Sequence, residues 1–467
     1  CGAGGFSSAA GEMLSEVGGN LYLERAPLKE PGMTSWEIFL SESQERMVLA
    51  VKEESMPQLI ELAEIYETEL TEIGDSDESG ILKVWHNGDL VCELDNSRLH
   101  DAPVRQLNSE YHVPSGIEYE WSEDSLGDDL LSVLGDFAVG SREPIIREYD
   151  HEVQGNTLLK PLAGAEGDAP QDASVVRIDD SDKLMAMGFS LLPEWGKTDP
   201  LAMGKGTVDE CVRSLVVSGA NPDKIALLDN FCVGNPDNLQ ELGMLVETCK
   251  GMAEAAEAYG APFVSGKDSF YNYFETDDGA VSIPTTCLIS GMGVLDNESN
   301  VTGSSVRRND SLIAVIGRTD SAMGGSVYAR IKSQTGNKVP ETNFDEALSS
   351  YRSFHQAVSE DLVLAAHDVS EGGLAVAAAE MAFSMIAGME IDLGALPVNG
   401  DLNNVKKLFA ESSSRILIEC ESESIDRIQE IFSESAFAVI GRTESSHKSL
   451  RFKSDGVNII DNEIESL

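Results

Sequence analysis

Apolar residues fall along this chain in short runs, separated by glycine-rich and acidic stretches. Phe6, Ala10, Met13 and Leu14 lie at helical spacing directly behind Cys1-Gly2-Ala3-Gly4-Gly5, so a glycine loop opening a helix is expected there. Residues 36–40 lead into the polar Glu42-Ser43-Gln44. Residues 47–51 read as an apolar strand and 56–66 as an amphipathic helix, and a further strand ends near Ile73-Gly74. From His86-Asn87-Gly88-Asp89 onward, residues 86–145 are polar and turn-rich, a connector with one short helix near 130–134. Beyond it, strand candidates at 174–178, 224–228 and 287–290 alternate with helix candidates at 208–217 and 243–259. Near the end the opening order returns, with segments at 374–383, 415–418, 425–431 and 437–440. The pattern predicts α+β domains, helices against a sheet, around an α/β region. No apolar run approaches the roughly 18 residues of a membrane span.

The return is visible residue by residue. Cys1-Gly2-Ala3-Gly4-Gly5-Phe6, then Ala9-Ala10-Gly11-Glu12-Met13, parallels Val369-Ser370-Glu371-Gly372-Gly373-Leu374, then Ala377-Ala378-Ala379-Glu380-Met381. Glu42-Ser43-Gln44-Glu45-Arg46-Met47 parallels Glu411-Ser412-Ser413-Ser414-Arg415-Ile416, and Ile73-Gly74 parallels Ile440-Gly441. The three offsets are 368, 369 and 367. One order at nearly one long offset means a duplicated domain, not a solenoid of short repeats.

Composition narrows the function. The chain has 467 residues, enough for about three domains of roughly 150 residues each. Its 81 acids against 33 bases, a net charge of −48, exclude a general nucleic-acid binder. The acids are spread along the whole chain, as on a solvated surface that tolerates salt. Self-repulsion of this size opposes the compact state, and salt screens it over about 10 Å at about 0.1 M. The melting temperature is therefore expected to rise with KCl concentration, and a flat or falling curve contradicts this. The seven cysteines, at 1, 92, 211, 232, 249, 287 and 420, form no close metal or redox pair, which favours a reducing cytoplasm.

Four segments carry candidate chemistry. In Asp229-Asn230-Phe231-Cys232-Val233-Gly234-Asn235-Pro236, an apolar strand ends in a carboxylate, a common site position in α/β sheets, although the Asp could simply cap a turn. Ser265-Gly266-Lys267-Asp268-Ser269 offers a close backbone approach, a charge and a hydroxyl to a phosphate, or is an ordinary strand-end turn; it lacks Walker spacing. In His367-Asp368-Val369-Ser370-Glu371-Gly372-Gly373, Asp could hold Mg²⁺ and the helix start could take an anion, or Ser and Asp are helix caps. His367 is assigned no role. Glu42-Ser43-Gln44 offers acceptors and donors to a ribose or amide, or is a solvated turn.

Taken together, these segments resemble the phosphoribosylformylglycinamidine synthase large-subunit family. Arg25-Ala26-Pro27-Leu28-Lys29-Glu30-Pro31-Gly32-Met33-Thr34 and Leu40-Ser41-Glu42-Ser43-Gln44-Glu45-Arg46-Met47 are similar to its first B domain. Tyr149-Asp150-His151-Glu152-Val153-Gln154-Gly155-Asn156-Thr157 is similar to the entry of its second A domain. The resemblance covers nearly the whole chain and implies duplicated ATP-binding A and B domains like those of aminoimidazole ribonucleotide synthetase, with the first A domain missing. Residues 1–85 would be a partial first B domain, 86–145 a connector, 146–303 the second A domain and 304–467 the second B domain. The chain opens on the glycine loop without Met, as a truncation, a split gene or a spliced product would. The family's catalytic His, a nucleotide-binding Lys and a loop Asp for Mg²⁺ are then expected upstream, with no catalytic residue in this chain.

The activity the resemblance implies is ATP-dependent conversion of formylglycinamide ribonucleotide and ammonia to formylglycinamidine ribonucleotide, ADP and phosphate. A glutaminase subunit would supply the ammonia, and a small bridging subunit would join the complex. Glu42, Ser43, Gln44 and Ser269 would bind the ribonucleotide, and Asp229, Gly266 and Lys267 would bind ATP. Family members often place a Mg²⁺-binding Asn where Lys267 stands. Lysine has donors only, so Asp268 is expected to take the metal. Asp172, Glu210, Asp368 and Ser370 would form an auxiliary nucleotide and Mg²⁺ site, with Ser214 where those members carry a metal-binding Asn. The alternative is a non-catalytic, nucleotide-holding half that acts only with a separate N-terminal half.

Overall fold

Gly4 and Gly5 open the first helix because both need positive φ, 74° and 58°, and a Cβ on Gly5 would lie 2.3 Å from the Ser41 carbonyl oxygen. This computed structural model describes residues 1–100, 104–112, 117–148, 152–164, 167–277, 279–334, 338–384 and 386–467, the side chains of Leu99 and His100 apart. Tyr149, Asp150 and His151 of the segment expected to open the second A domain lie outside the described residues. The chain forms two compact units, Cys1–Gln106 and Leu107–Leu467. Among the described residues no helix is long and apolar enough to cross a membrane.

In the first unit the helix Phe6–Met13 buries Phe6 and Ala10 against Leu21, Ile38, Leu82 and Val84. The four-stranded sheet runs in the order Gly74–Ser76, Gly19–Tyr22, Ile81–His86, Asp89–Asp95. Asn87 and Gly88 both take positive φ, 53° and 88°, which suits a tight hairpin turn. That hairpin crosses the expected boundary at residue 85, so the first part of the supposed connector is sheet and the unit runs on to Gln106.

The second unit holds two main sheets. The six-stranded one has the order Phe263–Ser269, Ile225–Cys232, Thr286–Leu295, Leu184–Leu191, Ser174–Arg177, Thr157–Leu159. The helices Pro200–Val217 and Leu239–Tyr259 contribute Val208, Val212, Leu215, Met252 and Ala255 to its core, so the strand and helix candidates of this region are found. The seven-stranded sheet has the order Ala365–Asp368, Ile416–Cys420, Leu312–Ile316, Phe437–Glu444, Gly388–Asp392, Ser449–Ser454, Val457–Glu463.

The last four strands of that sheet repeat the first unit's sheet. Gly388–Asp392 runs parallel to Ser449–Ser454, as Gly19–Tyr22 does to Ile81–His86. The closing turn Asp455-Gly456 has φ 51° and 78°, matching Asn87-Gly88 at an offset of 368. This comparison also explains one failed expectation. Residues 47–51 form no strand, and Met47 is 88% exposed. Their counterpart, Ile416–Cys420, is hydrogen-bonded between Leu312–Ile316 and Ala365–Asp368. Among the described residues of the first unit no strand pairs with residues 47–51, and an apolar run takes strand form only where a ladder receives its backbone groups.

Candidate functional site

The edge of the six-stranded sheet gathers one group of expected residues and divides it. Ile225–Cys232 and Phe263–Ser269 pair in parallel, with Asp229 opposite Gly266, Phe231 opposite Asp268 and Cys232 opposite Ser269. Paired residues share a face and neighbours along a strand alternate. Asp229, Gly266 and Asp268 therefore lie on one face, and Asn230, Lys267 and Ser269 on the other. A Cβ on Gly266 would meet Asp229 Oδ1 at 2.5 Å, so the glycine leaves room for that carboxylate. Burial, and then the neighbouring Asp268, push the Asp229 carboxyl above its usual range. On the other face Lys267 Nζ donates to Ser269 Oγ. Lys267 thus stands on the face opposite Asp229 and Gly266, because adjacent strand residues point opposite ways.

Glu42, Ser43 and Gln44 stand exposed on a loop of the first unit. Glu42 Oε1 accepts from the Gly4 N–H at 3.3 Å, tying this loop to the glycine loop. Ser41 and Ser43 share a hydroxyl hydrogen bond of 2.8 Å. The second copy repeats the tie: Glu411 Oε1 accepts from Gly372 N–H at 2.7 Å and from Val327 N–H at 2.9 Å.

Asp172, Glu210, Asp368 and Ser370 converge in the second unit, as expected. Ser370 Oγ donates to Asp368 Oδ1 at 3.2 Å. Asp368 N–H reaches Asp172 Oδ1 at 3.4 Å, and Glu210 accepts from Ser190 Oγ at 2.7 Å. Ligand atoms of Asp172, His367 and Asp368 lie within 4.8 Å of one another, so a shared metal has to be considered.

Positive charge beside these carboxylates is supplied from within the fold. Arg213 places Nη1 2.6 Å from Asp209 Oδ2, and Nη2 3.4 Å from Asp368 Oδ2 and 3.7 Å from Glu210. Both ring nitrogens of His367 are taken by carboxylates, Nδ1 by Asp172 at 2.7 Å and Nε2 by Glu380 at 2.8 Å. A ring engaged on both sides has no lone pair left for a metal. Desolvation opposes the charge on His367, but Asp172 and Glu380 outweigh it and raise its pKa well above the usual value. Asp172, Glu210 and Asp368 thus share an internal ion network with Arg213 and His367. At the helix start behind this cluster, the Gly372 amide donates to Glu411.

Sequence reading missed Arg213, His367 and Asp209. Asp209 is fully buried and accepts from Arg213, from Tyr351 OH at 2.6 Å and from Ser414 N–H and Oγ at 3.1 and 2.9 Å. The one local signal was the spacing of Asp209 and Arg213, four apart on a helix. Burial raises the acids beside them: Glu371 is pushed up to about 7 and Glu411 to about 8.

Residues 1–87 and 307–453 match the family model described as AIR synthase related protein, C-terminal domain, and residues 170–290 match its N-terminal domain. Phosphoribosylformylglycinamidine synthase subunit PurL of Thermococcus sibiricus is 34% identical over 469 residues, covering 100% of this chain and 63% of its own length. The chain thus spans about three-fifths of the curated relatives it matches. T. maritima PurL complexed with ATP shares the fold, with a TM-score of 0.62 at 21% identity over 95% of this chain and 62% of that one. T. maritima PurL complexed with FGAR gives 0.57 at 17%, over 72% and 52%. With its C-terminal domain model matched twice, across half of the residues, and its N-terminal model once between them, the chain belongs to the AIR synthase related protein family, and it is similar over its whole length to PurL subunits.

Proposed function

We propose that the protein takes part in the ATP-dependent conversion of formylglycinamide ribonucleotide and ammonia to formylglycinamidine ribonucleotide, ADP and phosphate. The γ-phosphoryl of ATP passes to the amide oxygen, and ammonia then adds at the amide carbon as phosphate leaves. The observation that carries this reading is the Glu42-Ser43-Gln44 loop. Three exposed polar side chains are tied to a glycine loop, in a chain that matches a subunit of that synthase from end to end. Glu42, Ser43 and Gln44 bind the ribonucleotide, with Ser269. Asp229 and Gly266 bind ATP, and Lys267, on the opposite face, holds Ser269 by its hydrogen bond.

Mg²⁺ is expected with ATP. Asp268 and Asp229 present two carboxylates on one face of a strand pair, a donor set that suits a hard oxygen-seeking cation. There it would neutralise phosphate charge. A glutaminase subunit supplying ammonia and a small bridging subunit complete the proposed assembly. The seven free cysteines suit a cytoplasmic setting. The other reading is a half that only holds a nucleotide and acts with a separate N-terminal half; Glu210, Arg213, Ser370 and Glu411 line a pocket in the second unit.

Steady-state kinetics with the full-length protein tests the assignment. Ser269→Ala is expected to raise KM for the ribonucleotide and Asp229→Ala that for ATP. Each loses a hydrogen bond to a charged ligand, about 1.5–3 kcal/mol, or on the order of ten- to a hundredfold. Unchanged constants in both variants would mean that these residues only shape turns.

A further inference from the structure

The string Leu40-Ser41-Glu42-Ser43-Gln44-Glu45-Arg46-Met47 contains an arginine with no role so far. Arg46 Nε donates to the Ser43 carbonyl at 3.2 Å, and its Nη2 donates to the Ser41 carbonyl at 2.6 Å. Its guanidinium lies 4.4 Å from the ring centroid of Phe6, the first residue of the helix behind the glycine loop. One side chain therefore bridges the two carbonyls that flank Glu42 and rests on the helix that follows the glycine loop to which Glu42 is tied. The loop it holds is sharply bent: Glu45 has φ 63°, a left-handed conformation uncommon for a residue with a Cβ.

The second copy builds the same device around different residues. Arg415 Nε donates to the Ser412 carbonyl at 3.1 Å and its Nη2 to the Ala410 carbonyl at 2.5 Å. Ser414 has φ 62°, in register with Glu45. Each partner stands 369 residues from its counterpart, yet the loops read Ser-Glu-Ser-Gln-Glu in one and Ala-Glu-Ser-Ser-Ser in the other. The shared elements are the glutamate, the serine after it, the bend and the arginine. The arginine persists where Gln44 has become Ser413, so its task is the shape of the loop and not a contact that Gln44 shares.

We propose that Arg46 is a positioning residue for the ribonucleotide: it clamps the Glu42-Ser43-Gln44 loop against the glycine loop so that the three side chains stay turned outward to the ligand. This rests on the assignment of that loop to the ribonucleotide. The guanidinium fork suits the task because two of its N–H groups reach two carbonyls at once, whereas a lysine ammonium is a single point charge on a flexible stem.

The test compares Arg46→Met, Arg46→Lys and Glu42→Ala in the full-length protein, with ammonia as nitrogen donor and KM measured separately for each substrate. Arg46→Met is expected to raise KM for the ribonucleotide by about tenfold or more, with KM for ATP within about twofold. Arg46→Lys should show the same selective rise to a smaller degree. If melting curves show that Arg46→Met does not fold, Arg46→Lys decides. An unchanged ribonucleotide KM, an equal rise for both substrates, or full recovery by lysine overturns the proposal. If Glu42→Ala leaves the ribonucleotide KM unchanged, the loop assignment itself fails. If Glu42→Ala raises it and the Arg46 variants do not, the clamp alone fails.

Discussion

Arg213→Met is expected to lower the unfolding free energy by about 3–5 kcal/mol, the range for breaking a buried ion pair from one side. Its side chain is 3% exposed and stands among Asp209, Asp368 and Glu210. Methionine keeps much of the volume but leaves Asp209 and Asp368 charged and buried. Asp209 would retain only neutral donors, from Tyr259, Tyr351 and Ser414. Arg213→Lys should recover part of the loss, since one ammonium cannot span the same carboxylates. The exposed pair Arg352–Asp223, at 2.7 Å, provides the contrast. Its removal should cost less than about 1 kcal/mol. Denaturant unfolding measures all three, and a loss in Arg213→Met no larger than in the surface variant would contradict the network.

Stability is also expected to fall as pH rises from about 5 to about 8. Burial first, and then Glu371, hold Glu411 at about 8 against an ordinary 4.5, so the native state keeps a proton that the unfolded chain has released. Between those values each such group lowers stability by about 1.4 kcal/mol per pH unit. Glu371, at about 7, and Asp368, at about 6, act in the same direction over shorter windows, and burial raises Glu210 as well. His367, raised above 6.5, also stabilises the protonated side and loses its contribution as pH rises through its folded value. The opposite case, Glu360 at about 2 beside Arg427, works below this window. Chemical denaturation across pH should show the decline, and Glu411→Gln should make it shallower. A profile that rises or stays flat from pH 5 to 8 would mean that these acids are ionised in the fold.

The sequence by itself determined what depends on neighbours along the chain. Glycine at 4, 5, 372 and 373 marked two loops that need positive φ, and the apolar spacing behind each loop marked a helix. The offset near 368 announced two copies of one α+β design, which the matching strands and turns of the two sheets bear out. The opposed faces of Lys267 and Asp268 were also legible, since adjacent residues of a strand cannot share a side. Tertiary structure alone decided three things. Residues 47–51 have the composition of a strand but pair with no strand among the described residues, and a strand exists only in a ladder. Arg213 and His367 acquire partners 155 and 195 residues away, Asp368 and Asp172 respectively, which no local pattern encodes. The acidic cluster stands in an internal ion network because folding brought an arginine and a doubly bonded imidazole among its carboxylates. In a low-dielectric interior each charge must find its counter-charge or give it up.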